Sequence, residues 1–343
     1  MQRIAGSLAG AGYEVLLVGR KMPSSVALQP QIFSQKRLPC LFHKGLAFYV
    51  EYNIRLFFFL LFHRADICCA IDLDTILPVY FTSLLKQSRR IYDAHELFTE
   101  QKEVISRPRI LRFWLAIERF AVPRFPLGYT VNDALANEFK KRYGVSYSII
   151  RNLPLKFPLQ TTEPGERFIL YQGAVNEGRC FETLIPAMKQ VNARLHIYGT
   201  GNFIDEAKQL AADPFIKDSV VFHEPAFPHH LKNITQRAHI GLTLFESKGM
   251  NQYHSLANRF FDYIMAGIPQ VCVNYPAYAA INAVYEVALL VDDTEPATIA
   301  AALNRLLEDD ILHNRLKQNC LLARETLNWE CEEQLLLQFY KEI

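Results

Sequence analysis

Through the second half of the chain, short apolar runs alternate with stretches of helical spacing. Strand-like runs fall at residues 168–172, 194–198, 219–222, 239–244, 270–273 and 288–291, with helices between them at 180–191, 203–212, 228–237, 258–266, 276–284 and 296–308. Strand followed by helix at this pace predicts a parallel, doubly wound sheet. The first half repeats the alternation less cleanly. It predicts a helix over 1–12, a strand over 13–20, and an irregular stretch over 21–43 with short strands around Ile32 and Phe33. A helix over 44–63 and a strand over 66–71 follow, then a helix to residue 87 and a strand over 90–94. Residues 108–125 read as a helix, 128–132 as a strand, 133–143 as a helix and 148–151 as a strand. A helix ahead of the first strand is unusual in a doubly wound sheet, so the opening strand is expected to be missing and Met1 to be an internal methionine.

The polar run 160–166 marks a domain boundary, and 311–343 is helical to the end. The expected domains are 1–155, 156–325 and a C-terminal helix, 326–343, that packs back on the first. Two segments leave alternatives open. Residues 44–63 end in LFFFLLF, apolar on all sides; burial against the sheet is favoured over membrane docking. Residues 108–125 mix arginines with aromatics, which suits a helix with a solvated basic face or one resting on anionic headgroups; the solvated face is preferred.

Charge divides the halves. Residues 1–150 hold 20 Lys and Arg against 12 Asp and Glu, a balance of +8, and residues 151–343 hold 17 against 23, or −6. A basic first half suits an anionic surface or acceptor, and uneven scatter of solvated charge explains it equally well. The seven cysteines show no C-x-x-C and no metal spacing, so they read as buried thiols in a reducing compartment. With no secretory signal and no apolar block long enough to span a bilayer, a cytoplasmic protein is expected, peripheral membrane association staying open.

Candidate chemistry gathers at strand-to-helix turns. Residues 249–269, GMNQYHSLANRFFDYIMAGIP, read as a polar loop, an N-cap at Ser255 and a helix ending at Gly267. An exposed first turn carries free amides and the positive dipole end, which suits a phosphate, with Asp262 two turns in to reach a sugar hydroxyl. After the strand at 168–171 comes QGAVNEGR, where Gly173 lets a ligand approach the backbone and Arg179 can neutralise a diphosphate. After the strand at 195–198, Gly199 and Gly201 make a second glycine turn. These turns are expected to converge on one diphosphate-bearing ligand. At the end of the strand 90–94 stand His95 and Glu96, on the edge where open parallel sheets place ligands. Strand-end capping is the plainer role for His95.

The order GAVNEGR, HIYGTG and SLANRFFDYIMAGIP, with YDAHE in the first half, resembles the retaining glycosyltransferases of family four, over nearly the whole chain. That resemblance implies a GT-B fold: two Rossmann-like, doubly wound α/β domains facing a central cleft, the first on the acceptor side. It implies donor binding by Gly173, Arg179, Gly199, Gly201, His254, Ser255, Leu256, Asn258 and Asp262, and catalysis by His95 with Glu96 beside it. Asp262 falls on the second acidic position of the family's paired-glutamate motif, and the first is His254 here, a departure. Ala174, Ala257 and Cys180 also depart, standing where a second cation, Pro and Gly are common. The implied reaction moves a sugar from a nucleotide-diphosphate sugar to a glycan or lipid-linked acceptor with retention of configuration, in cell-surface polysaccharide synthesis. It implies no metal and no cofactor beyond the donor, and no nucleic-acid partner. Peripheral contact with the inner membrane face remains compatible with it.

A non-catalytic nucleotide- or glycan-binding relative is the rival reading, favoured by His254 and Ala174. A Rossmann oxidoreductase is disfavoured, because the turn at 199–203 lacks the third glycine of G-x-G-x-x-G.

Overall fold

A computed structural model describes residues 1–160, 165–247 and 249–343. The chain divides into two compact units, Met1–Arg151 with Glu332–Ile343, and Asn152–Cys331. The boundary expected over 160–166 falls partly on residues 161–164, outside the described residues.

The N-terminal unit opens with α1 (Gln2–Gly10) and a parallel pair, β1 (Leu16–Lys21) and β2 (Ser34–Pro39). The second strand of this pair begins just past the expected Ile32–Phe33 position: Phe33 turns inward and is buried, while Ile32 is exposed. Next come α2 (Gly45–Phe62), β3 (Ile67–Ile71), α3 (Ile76–Lys86), β4 (Arg89–Ala94), α4 (Lys102–Ile105) and α5 (Pro108–Ala121). β5 (Gly128–Thr130), α6 (Asp133–Tyr143) and β6 (Ser148–Ile149) complete a four-stranded parallel sheet in the order β3-β4-β5-β6. Its core gathers Tyr92, Phe98, Trp114, Phe125, Phe139 and Tyr147. Asn132 caps α6 by accepting from the Leu135 amide at 2.9 Å, and Gly144 ends that helix in the left-handed region.

Burial of α2 is the first expectation the structure corrects. Phe48, Tyr52 and Leu56 pack with Leu38 and Cys40, but the opposite face is bare, and Phe62 at its end is 80% exposed. A helix apolar on every side gives no local signal of which side meets protein.

The C-terminal unit holds six parallel strands: β7 (Phe168–Gln172), β8 (Arg194–Tyr198), β9 (Val220–His223), β10 (Ile240–Thr243), β11 (Gln270–Val273) and β12 (Ala288–Val291). Between them run α7 (Phe181–Ala187), α8 (Ile204–Ala211), α9 (Pro228–Arg237), α10 (Met250–Tyr253), α11 (Asn258–Ala266), α12 (Pro276–Tyr285) and α13 (Pro296–Glu308), with α14 (Asp310–Ala323) and α15 (Trp329–Lys341) after them. Strand order is β12-β11-β10-β7-β8-β9, the dinucleotide-binding winding, which reverses direction between β7 and β10. α11 locks onto this sheet through Phe260, Phe261, Tyr263, Ile264 and Met265, all buried. At about 1.5–3 kcal/mol for each large side chain, this face dominates the helix's stability. Gln270 fixes its angle, accepting from Thr243 Oγ1 at 2.7 Å and donating to the Phe260 carbonyl at 3.0 Å.

α15 leaves the C-terminal unit and ends in the N-terminal one. There Glu332, 1% exposed, accepts from the Arg151 amide at 2.6 Å and from its guanidinium at 2.9 Å. Phe339 packs edge-on against Tyr129 at 5.4 Å.

Candidate functional site

In a doubly wound sheet, the strands on either side of the reversal part at their carboxyl ends and leave a crevice. Here those ends are Gln172–Gly173 after β7 and Leu244–Phe245 after β10. The turn after β7 is clasped to the turn after β8. The Gly173 amide donates to the Tyr198 carbonyl, Val175 to Thr200 and Phe203 to Val175, each at 3.0 Å. Two asparagines close the clasp, the Glu177 amide donating to Asn202 Oδ1 and the Asn202 amide to Asn176 Oδ1. Gly173 sits at φ +121°, and a Cβ on Gly199 would lie 1.8 Å from the Gly173 carbonyl oxygen. Only glycine permits that approach.

The first of these turns continues to Gly178 and Arg179. The Glu246 amide donates to the Gly178 carbonyl at 3.1 Å, and a Cβ on Gly178 would strike the Gln252 side chain. The Arg179 guanidinium lies 4.4 Å from the centre of the Phe245 ring. Cys180 follows at φ +60°, a conformation natural to glycine, so the cysteine carries backbone strain that a glycine would not.

Ser255 does not cap the helix. Ala257 is the N-cap of α11; the Ser255 hydroxyl and amide both donate to the Gln252 carbonyl, at 2.8 and 3.1 Å, because α10 and its trailing turn precede it. Capping comes from Tyr278, whose hydroxyl accepts from the Ala257 amide at 3.0 Å. The Asn258 and Arg259 amides, in the first turn, have no intrahelical acceptor. Leu256 is half-buried against the core, and His254 packs edge-on against Tyr253 at 5.2 Å.

Arg259 is the site residue that the sequence reading missed. It is 8% exposed, with its guanidinium 4.5 Å from the Tyr171 ring and 4.7 Å from the Phe245 ring that Arg179 also covers. Its Nη2 donates to the Leu244 carbonyl at 3.4 Å, and its Nε has no acceptor among the described residues. A buried guanidinium short of acceptors beside a glycine turn has the chemistry to hold an anion. A cation in the first turn of a predicted helix was the available signal. Asp262 lies one turn further along, its Oδ2 accepting from Gln172 Nε2 at 3.1 Å, while Gln172 Oε1 accepts from Thr235 Oγ1 at 2.7 Å. Gly173, Gly199, Gly201, Arg179 and Asp262 are therefore linked, through Phe245, Arg259 and Gln172, around the sheet reversal.

His95 and Glu96 belong to the N-terminal unit and form a cluster of their own at the end of β4. His95 Nε2 is 3.1 Å from Asp93 Oδ1, and its amide donates to Asp72 Oδ1 at 3.1 Å. Burial works against a charged imidazole, but the Asp93 bond and the charges of Asp93 and Asp72 outweigh it, so the His95 pKa is raised. Burial pushes the Asp72 carboxyl up as well. Glu96 Oε1 accepts from Gln101 Nε2.

Residues 156–321 match the family Glycosyl transferases group 1. The chain carries a glycosyl transferases group 1 domain. No curated protein matches the sequence significantly. Among solved structures, sucrose-phosphate synthase from Thermosynechococcus elongatus superposes with a TM-score of 0.83 at 17% identity, over 99% of this chain and 91% of that one. HepE from Anabaena, solved with UDP, gives 0.73 at 12% identity, over 96% and 100%. WaaG, a glycosyltransferase involved in lipopolysaccharide biosynthesis, gives 0.70 at 16% identity, over 97% and 93%. At these identities the likeness is one of fold, and that fold is GT-B, with two Rossmann-like α/β domains.

Proposed function

We propose that this protein is a retaining glycosyltransferase of the family-four type, moving a sugar from a nucleotide-diphosphate sugar to a glycan or lipid-linked acceptor in the synthesis of a cell-surface polysaccharide, on the cytoplasmic side. The observation that carries the reading is the pairing of Arg179 and Arg259 on the ring of Phe245, beside the clasped turns of Gly173 and Gly199. Bond cleavage loads negative charge on the departing diphosphate, and two fixed guanidiniums with the first-turn amides of α11 supply what stabilises it. On this reading the charge is met without a metal ion. Asp262, oriented by Gln172, takes the hydroxyl-binding role. His95, held by Asp93, is assigned to the transferred sugar, with Glu96 ordering the segment beside it.

UDP is the first nucleotide to try, since HepE was solved with UDP and with UDP-glucose. Calorimetric titration with UDP, GDP and ADP, followed by donor hydrolysis with the matching sugar nucleotides, tests the proposal. Binding of one nucleotide that weakens at least tenfold in both Arg179→Ala and Asp262→Ala, about 1.4 kcal/mol, supports it. Unchanged affinity in both variants sinks the site. His254, in place of an acidic residue, favours the second reading, a nucleotide-binding relative without turnover. Tight binding with no transfer or hydrolysis from any donor would select it.

A further inference from the structure

The exposed face of α2 presents Leu46, Val50, Ile54, Phe58 and Phe62, four residues apart and so in one stripe. Phe81, Leu84 and Leu85 of α3 are exposed too, as are Phe113 and Phe120 of α5. Between the three helices lies a groove of about 290 Å³, lined by Val50, Ile54, Phe58, Phe81 and Phe113 among others. A contiguous apolar face of this kind marks a surface with a partner.

Charge identifies the partner. At 100° per residue, Arg109, Arg112 and Arg119 form a stripe on α5 directly beside Phe113 and Phe120, and all three are exposed. No acidic side chain on these helices offsets them. Glu51 is held by the Leu41 and Phe42 amides and by Arg55, Glu118 is buried, and α3 has none. A second copy of this chain docked through the same face would set arginine against arginine. A membrane span is equally unsuitable, because one side of α2 packs on protein and its middle carries the Glu51–Arg55 pair. Arginine beside phenylalanine on a flat helical face matches the headgroup boundary of an anionic bilayer.

We propose that the α2–α3–α5 face docks on an anionic lipid bilayer, its phenylalanines entering the acyl boundary and Arg109, Arg112 and Arg119 meeting lipid phosphates. This does not depend on the donor site, and UDP titration of the same samples keeps the two readings separate. The test is co-sedimentation of the full chain with vesicles of phosphatidylcholine alone or mixed with phosphatidylglycerol, at low and high salt. The expected result is binding about tenfold or more tighter with phosphatidylglycerol, weakened by salt. Phe58→Asp should lower it about tenfold with the melting curve and nucleotide affinity unchanged. Phe62→Asp, at the most exposed position, serves if Phe58→Asp misfolds. Replacing the three arginines by glutamate should abolish the lipid preference. No vesicle binding at low salt, equal binding to both vesicles, or a dimer that Phe58→Asp splits would each overturn the proposal.

Discussion

A methyl group placed on Gly173 would come within 3.5 Å of Nη1 of Arg259, so a cation buried at the head of α11 stands directly beside the glycine turn after β7. Arg259 is thus in place to act on whatever the turn admits. Arg259→Met keeps a stem against Tyr171 and Phe245 and deletes the charge. Nucleotide-diphosphate affinity should drop at least tenfold while that for the bare nucleoside stays put, read by calorimetry. Equal losses for both ligands would mean the side chain only packs.

The clasp between the two glycine turns ranks two alanine variants. In Gly199→Ala the new carbon meets backbone 1.8 Å away, so the chain itself must move; in Gly173→Ala the nearest atom is the far end of a side chain, and the main cost is φ +121°. Left-handed strain of this sort costs about 1–2 kcal/mol. Denaturant unfolding should show Gly199→Ala the less stable of the two, while both lose nucleotide binding. The opposite order would contradict the clasp.

Glu332 holds the first turn of α15 to the N-terminal unit through Arg151. Glu332 is buried but Arg151 is part-exposed, so losing the carboxylate strips the Arg151 amide of its acceptor and leaves a guanidinium that water still reaches, which costs about 1–3 kcal/mol. Glu332→Ala should destabilise on that scale. Pairing Arg151→Met with Glu332→Leu should recover only the side-chain part of the loss, because the Arg151 amide still lacks its acceptor. A double-mutant cycle with no coupling would show the contact to be inert.

What the sequence reveals depends on whether the cause is local. The strands and helices of the C-terminal unit are legible because each carries its own period, and α11 falls at 258–266 as read. The capping of α11 is not legible, since the group that supplies it, Tyr278, comes from the next helix. Nor is Arg259, whose burial depends on the rings of Tyr171 in β7 and Phe245 in the turn after β10 closing over it. The bare side of α2 is hidden for the reverse reason: its composition is uniform, and only what packs on it, β2 and the core reached by Tyr49 and Leu60, decides which side is covered.

Half-buried carboxyls just after β3 give the N-terminal unit a pH dependence of unusual sign. Burial pushes Asp74 up to about 6 from 3.8, against the pull of its own backbone amide and the Arg20 charge. A carboxyl that binds its proton more tightly folded than unfolded contributes stability below the unfolded value and loses it as pH rises through the folded one. On this group alone, stability falls between about pH 4 and pH 6 and stays low above. Asp72 shifts in the same direction by burial but also holds the His95 amide, so Asp74 is the cleaner probe. Asp74→Asn should stabilise the protein at about pH 8, on the order of 2 kcal/mol, and leave it unchanged near pH 4. Thermal melts at the two pH values check this, and a gain of equal size at both would trace the effect to packing instead of charge.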